Sequence, residues 1–139
     1  MSGDVVLDAS VWVSREIDSD VNHQVASTWV NRHLQAGGSF IEPVWLLAEV
    51  AAAMSRQIGP HGTATALALL SRLRGRGVMR FLPMSSALVR DTIDIAGTYG
   101  IRAGDALYVA LSRQLSIPLV SFDNDQVRKA GGIVVVIKP

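Results

Sequence analysis

The chain has no cysteine, which excludes disulfide bonds, a thiolate nucleophile and a thiolate metal site. It also has no apolar run of the roughly 20 residues that a membrane-spanning helix needs. The most apolar long segment, Val44 to Met54, is short and contains Glu49. The N-terminal segment carries an acid and no basic leader, which is not typical of a signal peptide. We therefore expect a cytoplasmic protein with no membrane partner.

Net charge is also small. Lys and Arg total 13 and Asp and Glu total 12, which gives a formal net charge of +1 at pH 7 and does not identify a nucleic-acid binder. Most of the basic residues are arginines, whose guanidinium groups match phosphate and carboxylate geometry, although a GC-rich genome would favour arginine as well. Hydrophobic residues make up 49% of this small chain, which predicts an apolar patch covered by a partner or a second subunit.

The length of 139 residues predicts a single domain, residues 1–139. Apolar runs without polar alternation are interspersed with segments of helical periodicity, which is typical of an α/β fold with helices on both faces of a parallel sheet. We expect a central, mostly parallel sheet of about four to five strands. The predicted strands are 4–8, 78–82, 118–122 and 133–137. The predicted helices are about 20–36, 43–57, 63–74, 86–99, 105–115 and 124–130.

Two carboxylates stand at the ends of predicted strands. Asp8 ends the first strand, and Asp123 follows the segment PLVSF. Ligands of open α/β sheets bind outside the carboxyl ends of the strands, so the two acids are candidates for one site. Either acid alone is more simply explained as the N-cap of the following helix, but the pair together favours a site.

Two further acids stand in predicted helices. Glu49 shares a helix face with Leu46 and Val50, where a carboxylate loses hydration unless a cation or hydrogen bonds replace the water. Metal ligation explains this position as well as the structural alternatives do, which are a buried salt bridge or an edge position from which the side chain reaches solvent. Asp105 follows Gly104 at a helix start, where a favourable interaction with the helix dipole is the simpler explanation.

If the fold brought these acids together, their charges would repel one another unless a cation neutralised them. Cysteine is absent, and His23, His33 and His61 lack the paired spacing of zinc ligands. An all-oxygen site favours Mg²⁺ or Mn²⁺ over Zn²⁺. Such a cluster suits phosphodiester hydrolysis, because a bound metal lowers the pKa of a water and orients it for attack.

The segments VVLDAS, PVWLLAEV, RAGDALYVALS and LVSFDND occur in the order found in PIN-domain proteins. The chain resembles most the VapC-type toxins of toxin–antitoxin pairs, and the resemblance extends from Val5 to Val136. It implies a PIN-like three-layer sandwich and a metal-dependent endoribonuclease. The residues implied as catalytic groups and ligands of Mg²⁺ or Mn²⁺ are Asp8, Glu49, Asp105 and Asp123.

The resemblance also assigns neighbouring residues. Ser10 and Ser121 match hydroxyl residues that orient carboxylates or water, and Ser121 stands where Thr is more usual. Asp125 falls where some members carry another acid, so it is a further candidate ligand. Gln126 stands where an aromatic residue is common, which we expect to loosen the local packing.

The family further implies partners, because VapC-type toxins usually form homodimers and are inhibited by a small antitoxin that lies in an apolar groove. We therefore expect an RNA substrate, a cognate antitoxin and a second copy of the chain. Trp12, Trp29, Trp45 and Ala51–Ala53 are candidates to line such surfaces, although each is more simply a core residue. The arginines of SRLRGRGVMR are suited to RNA phosphates or antitoxin acids, although a solvated loop is the simpler explanation.

Three other interpretations compete with this one. A haloacid-dehalogenase-like phosphatase needs a second Asp two residues after the first, where Ser10 stands. A phospho-receiver domain needs adjacent acids near the first strand and a Lys after a late strand, whereas Asp8 stands alone and Lys138 is almost terminal. The main alternative is a PIN fold kept as a binding module with little or no nuclease activity, although the chain retains all the expected acids.

Overall fold

A computed structural model describes residues 3–139, except for the side chain of Val127. This part of the chain forms five strands and seven helices. In chain order they are β1 (Asp4–Leu7), α1 (Ala9–Glu16), α2 (His23–Gln35), β2 (Ser39–Pro43), α3 (Leu46–Gln57), α4 (Pro60–Gly75), β3 (Met79–Leu82), α5 (Ser86–Tyr99), α6 (Ala103–Leu115), β4 (Leu119–Val120), α7 (Asn124–Ala130) and β5 (Val136–Ile137).

The strands form one sheet in the order β3-β2-β1-β4-β5, and every neighbouring pair is parallel. This confirms the predicted α/β class and the parallel sheet. Parallel crossovers are right-handed, so α1 to α4 cover one face and α5 to α7 cover the other. Contacts of α1 with α2 and α3, of α3 with α4, and of α5 with α6 agree with this division.

The chain leaves β1 and β4 in opposite directions, towards β2 and towards β5. Two neighbouring strands with this property leave a crevice outside their carboxyl ends, which is where α/β proteins bind ligands. Asp8 directly follows β1, and Asp123 lies three residues beyond β4. The topology therefore brings the ends of two distant segments to one edge of the sheet, which we call the acid edge.

Two elements near this edge were not predicted. The segment Ser39–Pro43 is a strand, whereas the sequence pattern predicted a helix beginning at Pro43; the helix begins at Leu46 instead. Helix α1 was also missed, because Val11 and Val13 are β-branched and favour strands. Here the N-cap and the burial of the helix against the core outweigh that local preference.

The core lies between the sheet and its two layers of helices. Helix α6 is the most enclosed helix, since every residue from Ala106 to Ser112 is buried. It contacts β1, β2 and β4. Because α6 packs against three strands, its first turn, which contains Asp105, has a defined position beside the acid edge.

Several predicted boundaries agree with the structure. Ser85 caps α5 by accepting a hydrogen bond from the Leu88 N–H at 3.1 Å, and Gly100 ends that helix in the left-handed conformation with a φ of 64°. Helix α7 has its predicted bounds. Within residues 3–139, no helix is both long and apolar enough to cross a membrane.

The tryptophans differ in exposure, and the simpler explanation as a core residue is correct for Trp12. Trp12 is only 1% exposed and packs edge-to-face on Phe40 with ring centroids 4.9 Å apart, so it cannot contact a partner. Trp29 is partly buried and stacks on His33 at 5.0 Å. Trp45 is 51% exposed and remains a candidate surface residue.

Candidate active site

Asp8 is held by hydrogen bonds to two elements, strand β4 and helix α1. Its N–H donates to the carbonyl of Val120 at 3.1 Å, which ties it to β4. Its carboxylate accepts hydrogen bonds from the N–H of Ser10, at 3.0 Å, and from the Ser10 hydroxyl, so it caps α1. Asp8 is 4% exposed, and burial raises its pKa to about 6 against the opposing hydrogen bonds from Ser10. The capping explanation is therefore correct, and it leaves an acid that is poorly solvated.

Asp123 is also a cap. Its Oδ1 accepts from the N–H groups of Asp125, at 2.9 Å, and Gln126, at 3.0 Å, at the start of α7. Its own N–H donates to the Ser121 hydroxyl oxygen at 3.0 Å. Both strand-end acids thus combine a capping role with a position at the acid edge.

Gln126, in the first turn of α7, joins this turn to helix α6. The Ser121 hydroxyl donates to its Oε1 at 2.9 Å, and its Nε2 donates to the carbonyl of Asp105 at 2.9 Å. The side chain is 1% exposed. The expectation that Gln126 loosens the packing was wrong, because both ends of its amide are bonded and it links β4 to α6.

Asp105 lies half-buried in the first turn of α6, and it shares the guanidinium group of Arg102 with Asp123. The Arg102 side chain donates from Nε to Asp105 Oδ2 at 3.1 Å and from a terminal nitrogen to Asp123 Oδ2 at 3.4 Å. Arg102 is 81% exposed, so it reaches these acids from the solvent side. The sequence analysis missed this residue, although its position three residues before Asp105 was a signal for an ion pair.

Glu49 is positioned by a tyrosine that the sequence analysis also missed. The Tyr108 hydroxyl donates to Glu49 Oε1 at 2.6 Å. A Cβ atom at Gly104 would lie 3.4 Å from Glu49 Oε2, so the missing side chain there gives the carboxylate room beside α6. Burial raises the pKa of Glu49 against this hydrogen bond. The salt-bridge alternative is not observed, since Glu49 has no ion pair in the described part of the chain.

The predicted acids influence one another electrostatically. Burial is the main cause of the raised pKa values of Asp8, Glu49 and Asp105, and the charge of Asp105 adds to the shift of the other two. The charge of Asp123 in turn raises the pKa of Asp105. Carboxylates interact in this way only when they lie near one another, so the fold brings the predicted acids to one region.

Their carboxylates do not yet form a chelating group. Over residues 3–139, no three His, Asp or Glu side chains are arranged so that they could hold a metal ion. Each acid is instead directed at a protein donor, namely Ser10, Tyr108 or Arg102. Cation binding here requires some of these bonds to be exchanged.

Two hollows open on the acids. One has a volume of about 340 Å³, and Arg102, Asp105, Asp123 and Asp125 are among its lining residues. The other is a groove of about 420 Å³ between α1 and α3. Its lining residues are Ala9, Ser10, Val13, Asp20, Glu49, Ala52, Ala53, Arg56 and Gln57.

Asp125 faces outward. It pairs with Arg128 and, at 3.0 Å, with Lys129. The hydrogen bond from Lys129 holds the pKa of Asp125 below its usual range. It shares a hollow with Asp105 and Asp123, but its carboxylate already has two cationic partners.

A fifth acid lies near the site, and the sequence analysis did not identify it. Glu42 on β2 is 0% exposed. Its Oε1 accepts from the N–H of Leu7 at 2.7 Å and from the indole N–H of Trp12 at 3.5 Å, while its Oε2 has no partner in residues 3–139. Burial raises the pKa of Glu42 well above its usual range. A single Glu within the apolar run SFIEPVW was the available signal.

The donor set fits a hard divalent cation. All candidate ligands are carboxylate oxygens, which Mg²⁺ and Mn²⁺ prefer. A positive group, the Arg102 guanidinium, already bridges Asp105 and Asp123. Raised pKa values at Asp8, Glu49 and Asp105 mark a region where burial opposes negative charge, which a cation would relieve.

Comparisons with known proteins agree with this architecture. The family model described as PIN domain matches residues 5–132, whereas no curated protein sequence matches the chain. VapC20 of Mycobacterium tuberculosis, a toxin that cleaves the sarcin-ricin loop, is similar in structure with a TM-score of 0.74 and 20% identity, over 94% of this chain and 96% of that one.

Two further solved structures share the fold. FitAcB from Neisseria gonorrhoeae has a TM-score of 0.67 and 18% identity, over 96% of both chains. VapBC2 from Rickettsia felis, bound to a DNA fragment from its promoter, has a TM-score of 0.69 and 13% identity, over 98% of both chains. At these identities the likeness establishes the fold alone.

Proposed function

This chain belongs to the PIN domain family, and from that premise we propose that it is a metal-dependent endoribonuclease that hydrolyses RNA phosphodiester bonds. The observation that supports the proposal is that β1 and β4 end side by side, with Asp8 bonded to Val120 and with Asp105 and Asp123 sharing the Arg102 guanidinium. Glu49 lies beside Gly104, the neighbour of Asp105 in α6. The proposed catalytic residues are Asp8, Glu49, Asp105 and Asp123.

These acids would hold Mg²⁺ or Mn²⁺. When bound, such an ion acts as a Lewis acid on the phosphate and lowers the pKa of a water molecule. Asp125 is a weaker candidate ligand, because Arg128 and Lys129 already neutralise it. Arg102 would leave the acids when the cation binds, and it would then be free to contact the RNA backbone.

The surrounding residues keep the acids in position. Ser10 orients the Asp8 carboxylate through its hydroxyl group, and Ser121 orients Asp123 by accepting a hydrogen bond from its N–H. Tyr108 orients the Glu49 carboxylate through its hydroxyl group, and its pKa is raised by burial and by that carboxylate, so the phenol remains a hydrogen-bond donor. Hydrogen bonds of this kind limit the orientations that the carboxylates can adopt.

The groove between α1 and α3 supports access for a nucleic-acid strand. It contains Glu49 and Ser10, and the small side chains of Ala52 and Ala53 keep it open. Arg56 lies two helical turns from Glu49 on the same face of α3, where it can meet a phosphate flanking the scissile bond.

We further propose that the chain is the toxin of a toxin–antitoxin pair and that it forms a homodimer. Solved structures of this fold include a toxin–antitoxin complex from Klebsiella pneumoniae. Val44, Trp45 and Met84 are exposed beyond the ends of β2 and β3, which supports an apolar docking site for the antitoxin. Val89 and Ile93 form an exposed apolar stripe on α5, which supports contact with a second copy.

The test is cleavage of total cellular RNA by the purified protein with Mg²⁺, with Mn²⁺ and with EDTA. The Asp8→Asn variant tests the site, and Asp4→Asn is a matched control, because Asp4 is an exposed acid at the opposite end of β1. We expect discrete fragments that require both metal and Asp8. If no RNA is cut with either metal and calorimetry detects no metal binding, the chain is a PIN-fold binding module instead.

A further inference from the structure

The two central strands separate before β1 ends. Strands β1 and β2 are in register at Asp4 with Ser39 and at Val5 with Phe40, whereas β2 stays paired with β3 as far as Pro43. The end of β1 is therefore bonded to β2 through a side chain and not through the backbone pairing of the strands.

The direction of the backbone amides shows what replaces this pairing. The N–H groups of Val6 and Asp8 donate to carbonyls of Pro118 and Val120, at 2.9 and 3.1 Å, on the β4 side. Successive amides of a strand point to opposite sides, so the N–H of Leu7 points towards β2. It donates to the side chain of Glu42 at 2.7 Å.

Glu42 therefore contacts the chain on both sides of Asp8. Leu7 directly precedes Asp8, and Trp12, whose indole N–H lies 3.5 Å from the same Glu42 oxygen, belongs to the helix that Asp8 caps. These contacts link β2, the end of β1 and α1 through one carboxyl group. The turn that carries Asp8 lies between these two anchor points.

The surroundings of Glu42 favour a neutral carboxylic acid. The residue is fully buried, its two donors are uncharged, and no cationic side chain is bonded to it in residues 3–139. An isolated buried carboxylate would be strongly disfavoured, and burial raises the pKa of this group accordingly. Glu42 then contributes a hydrogen-bond acceptor for Leu7 and Trp12 and adds no negative charge.

We propose that Glu42 is a positioning residue that holds the Leu7–Asp8 turn, and thereby the Asp8 carboxylate, in the orientation that the cation requires. The inference rests on the proposed function only in taking Asp8 as a metal ligand. It distinguishes Glu42 from the catalytic acids, since Glu42 itself does not contact the cation or the RNA.

Two substitutions separate this role from the alternatives. Glu42→Gln keeps the acceptor and resembles the neutral acid, so it should bind Mn²⁺ and cut RNA within a few-fold of wild type. Glu42→Leu removes the acceptor, and it should lower both Mn²⁺ affinity and the cleavage rate by roughly tenfold to a hundredfold. Calorimetry measures the affinity of the folded protein, and hydrogen exchange of the Leu7 amide reports the lost bond.

Glu42→Asp, in which the carboxyl is one methylene shorter, gives a second test should the leucine variant not fold. It keeps a polar group but withdraws it from Leu7, so its Mn²⁺ affinity should fall as well. Wild-type affinity in folded Glu42→Leu or Glu42→Asp would overturn the proposal, because the role would then be purely structural. A loss in Glu42→Gln as large as in Glu42→Leu would also overturn it, because the charge would then be what matters.

The same titration includes Asp8→Asn, which separates the two proposals. If Asp8→Asn binds Mn²⁺ like wild type, the proposed metal site itself is wrong. If Asp8→Asn loses binding and the Glu42 variants do not, only the positioning role of Glu42 is wrong.

Discussion

Four of the acids at or near the acid edge form two pairs whose carboxylates are compensated differently. The inner acids, Asp8 and Glu42, are buried and bonded to neutral N–H and O–H donors. The outer acids, Asp105 and Asp123, have side chains that are 25% and 28% exposed and share the Arg102 guanidinium. Burial raises the pKa of Asp8, Glu42 and Asp105 alike, but among these three acids only Asp105 has a cationic partner, Arg102, that opposes the shift.

This difference indicates which acids a divalent cation would stabilise most. At the outer acids it would replace an existing positive group. At Asp8 it would supply a positive charge that no side chain bonded to this carboxylate within residues 3–139 provides. The metal-free protein should consequently be destabilised mainly by its inner acids, and the following predictions test that contrast.

The largest effect on stability is expected from Asp8→Asn. The pKa of Asp8 is raised from 3.8 to about 6, so removal of its charge should stabilise the metal-free protein by about 3 kcal/mol at pH 7. Asparagine can still accept the capping bond from the Ser10 N–H. Urea unfolding in EDTA measures the change, and a variant less stable than wild type would show that the capping contact matters more than the charge.

The pH dependence of the metal-free protein should show the same contrast. The folded state holds its Asp8 proton to about pH 6 and the unfolded state releases it near 3.8. The folded state thus binds more protons between these values, and its stability should fall as pH rises through them, by up to about 3 kcal/mol. Unfolding free energies of wild type and Asp8→Asn across this range measure the effect. A wild-type profile that coincides with that of the variant would contradict it.

A smaller change in stability is expected at the outer acids. Asp105→Asn removes a partner of an exposed ion pair, and such pairs contribute at most about 1 kcal/mol. Cleavage should nevertheless be lost, since the proposed metal ligand is gone. Denaturation and RNA cleavage are measured on the same preparation. If Asp105→Asn gained as much stability as Asp8→Asn, the contrast between inner and outer acids would be wrong. If Asp105→Asn still cut RNA at the wild-type rate, its role as a metal ligand would be wrong.

The smallest effect is expected from Arg102→Ala. The guanidinium competes with a metal for Asp105 and Asp123, so its removal should tighten Mn²⁺ binding by a few-fold and leave the melting temperature unchanged. Arg128→Ala is the matched control, because Arg128 pairs only with Asp125 among the described residues. Weaker Mn²⁺ binding by Arg102→Ala would mean that Arg102 supports the acids and does not compete for them.

Much of the acid edge could be predicted because the relevant signals are local. Asp8 and Asp123 stand next to apolar strand segments, and an N-cap acid is visible within a few residues. Glu49 stood out because it interrupts an apolar helix face. The parallel sheet followed from apolar runs separated by helical segments.

The rest depends on contacts between distant segments. Glu42 is 35 residues from Leu7, and Tyr108 is 59 residues from Glu49, so neither pairing has a local signature. Strand β2 was missed because it ends at Pro43, a residue that equally suits the first turn of a helix. The buried role of Gln126 likewise requires α6 and β4 to be brought together first.

The claim that one site is formed by the predicted acids is tested most directly by calorimetric titration with Mn²⁺. The titration compares wild type and the Asp4→Asn control with four single variants, namely Asp8→Asn, Glu49→Gln, Asp105→Asn and Asp123→Asn. Each of the four should lose at least roughly tenfold in affinity, whereas Asp4→Asn should bind like wild type. Wild-type binding by two or more of the four would show that these acids do not share one cation, and the account would be contradicted.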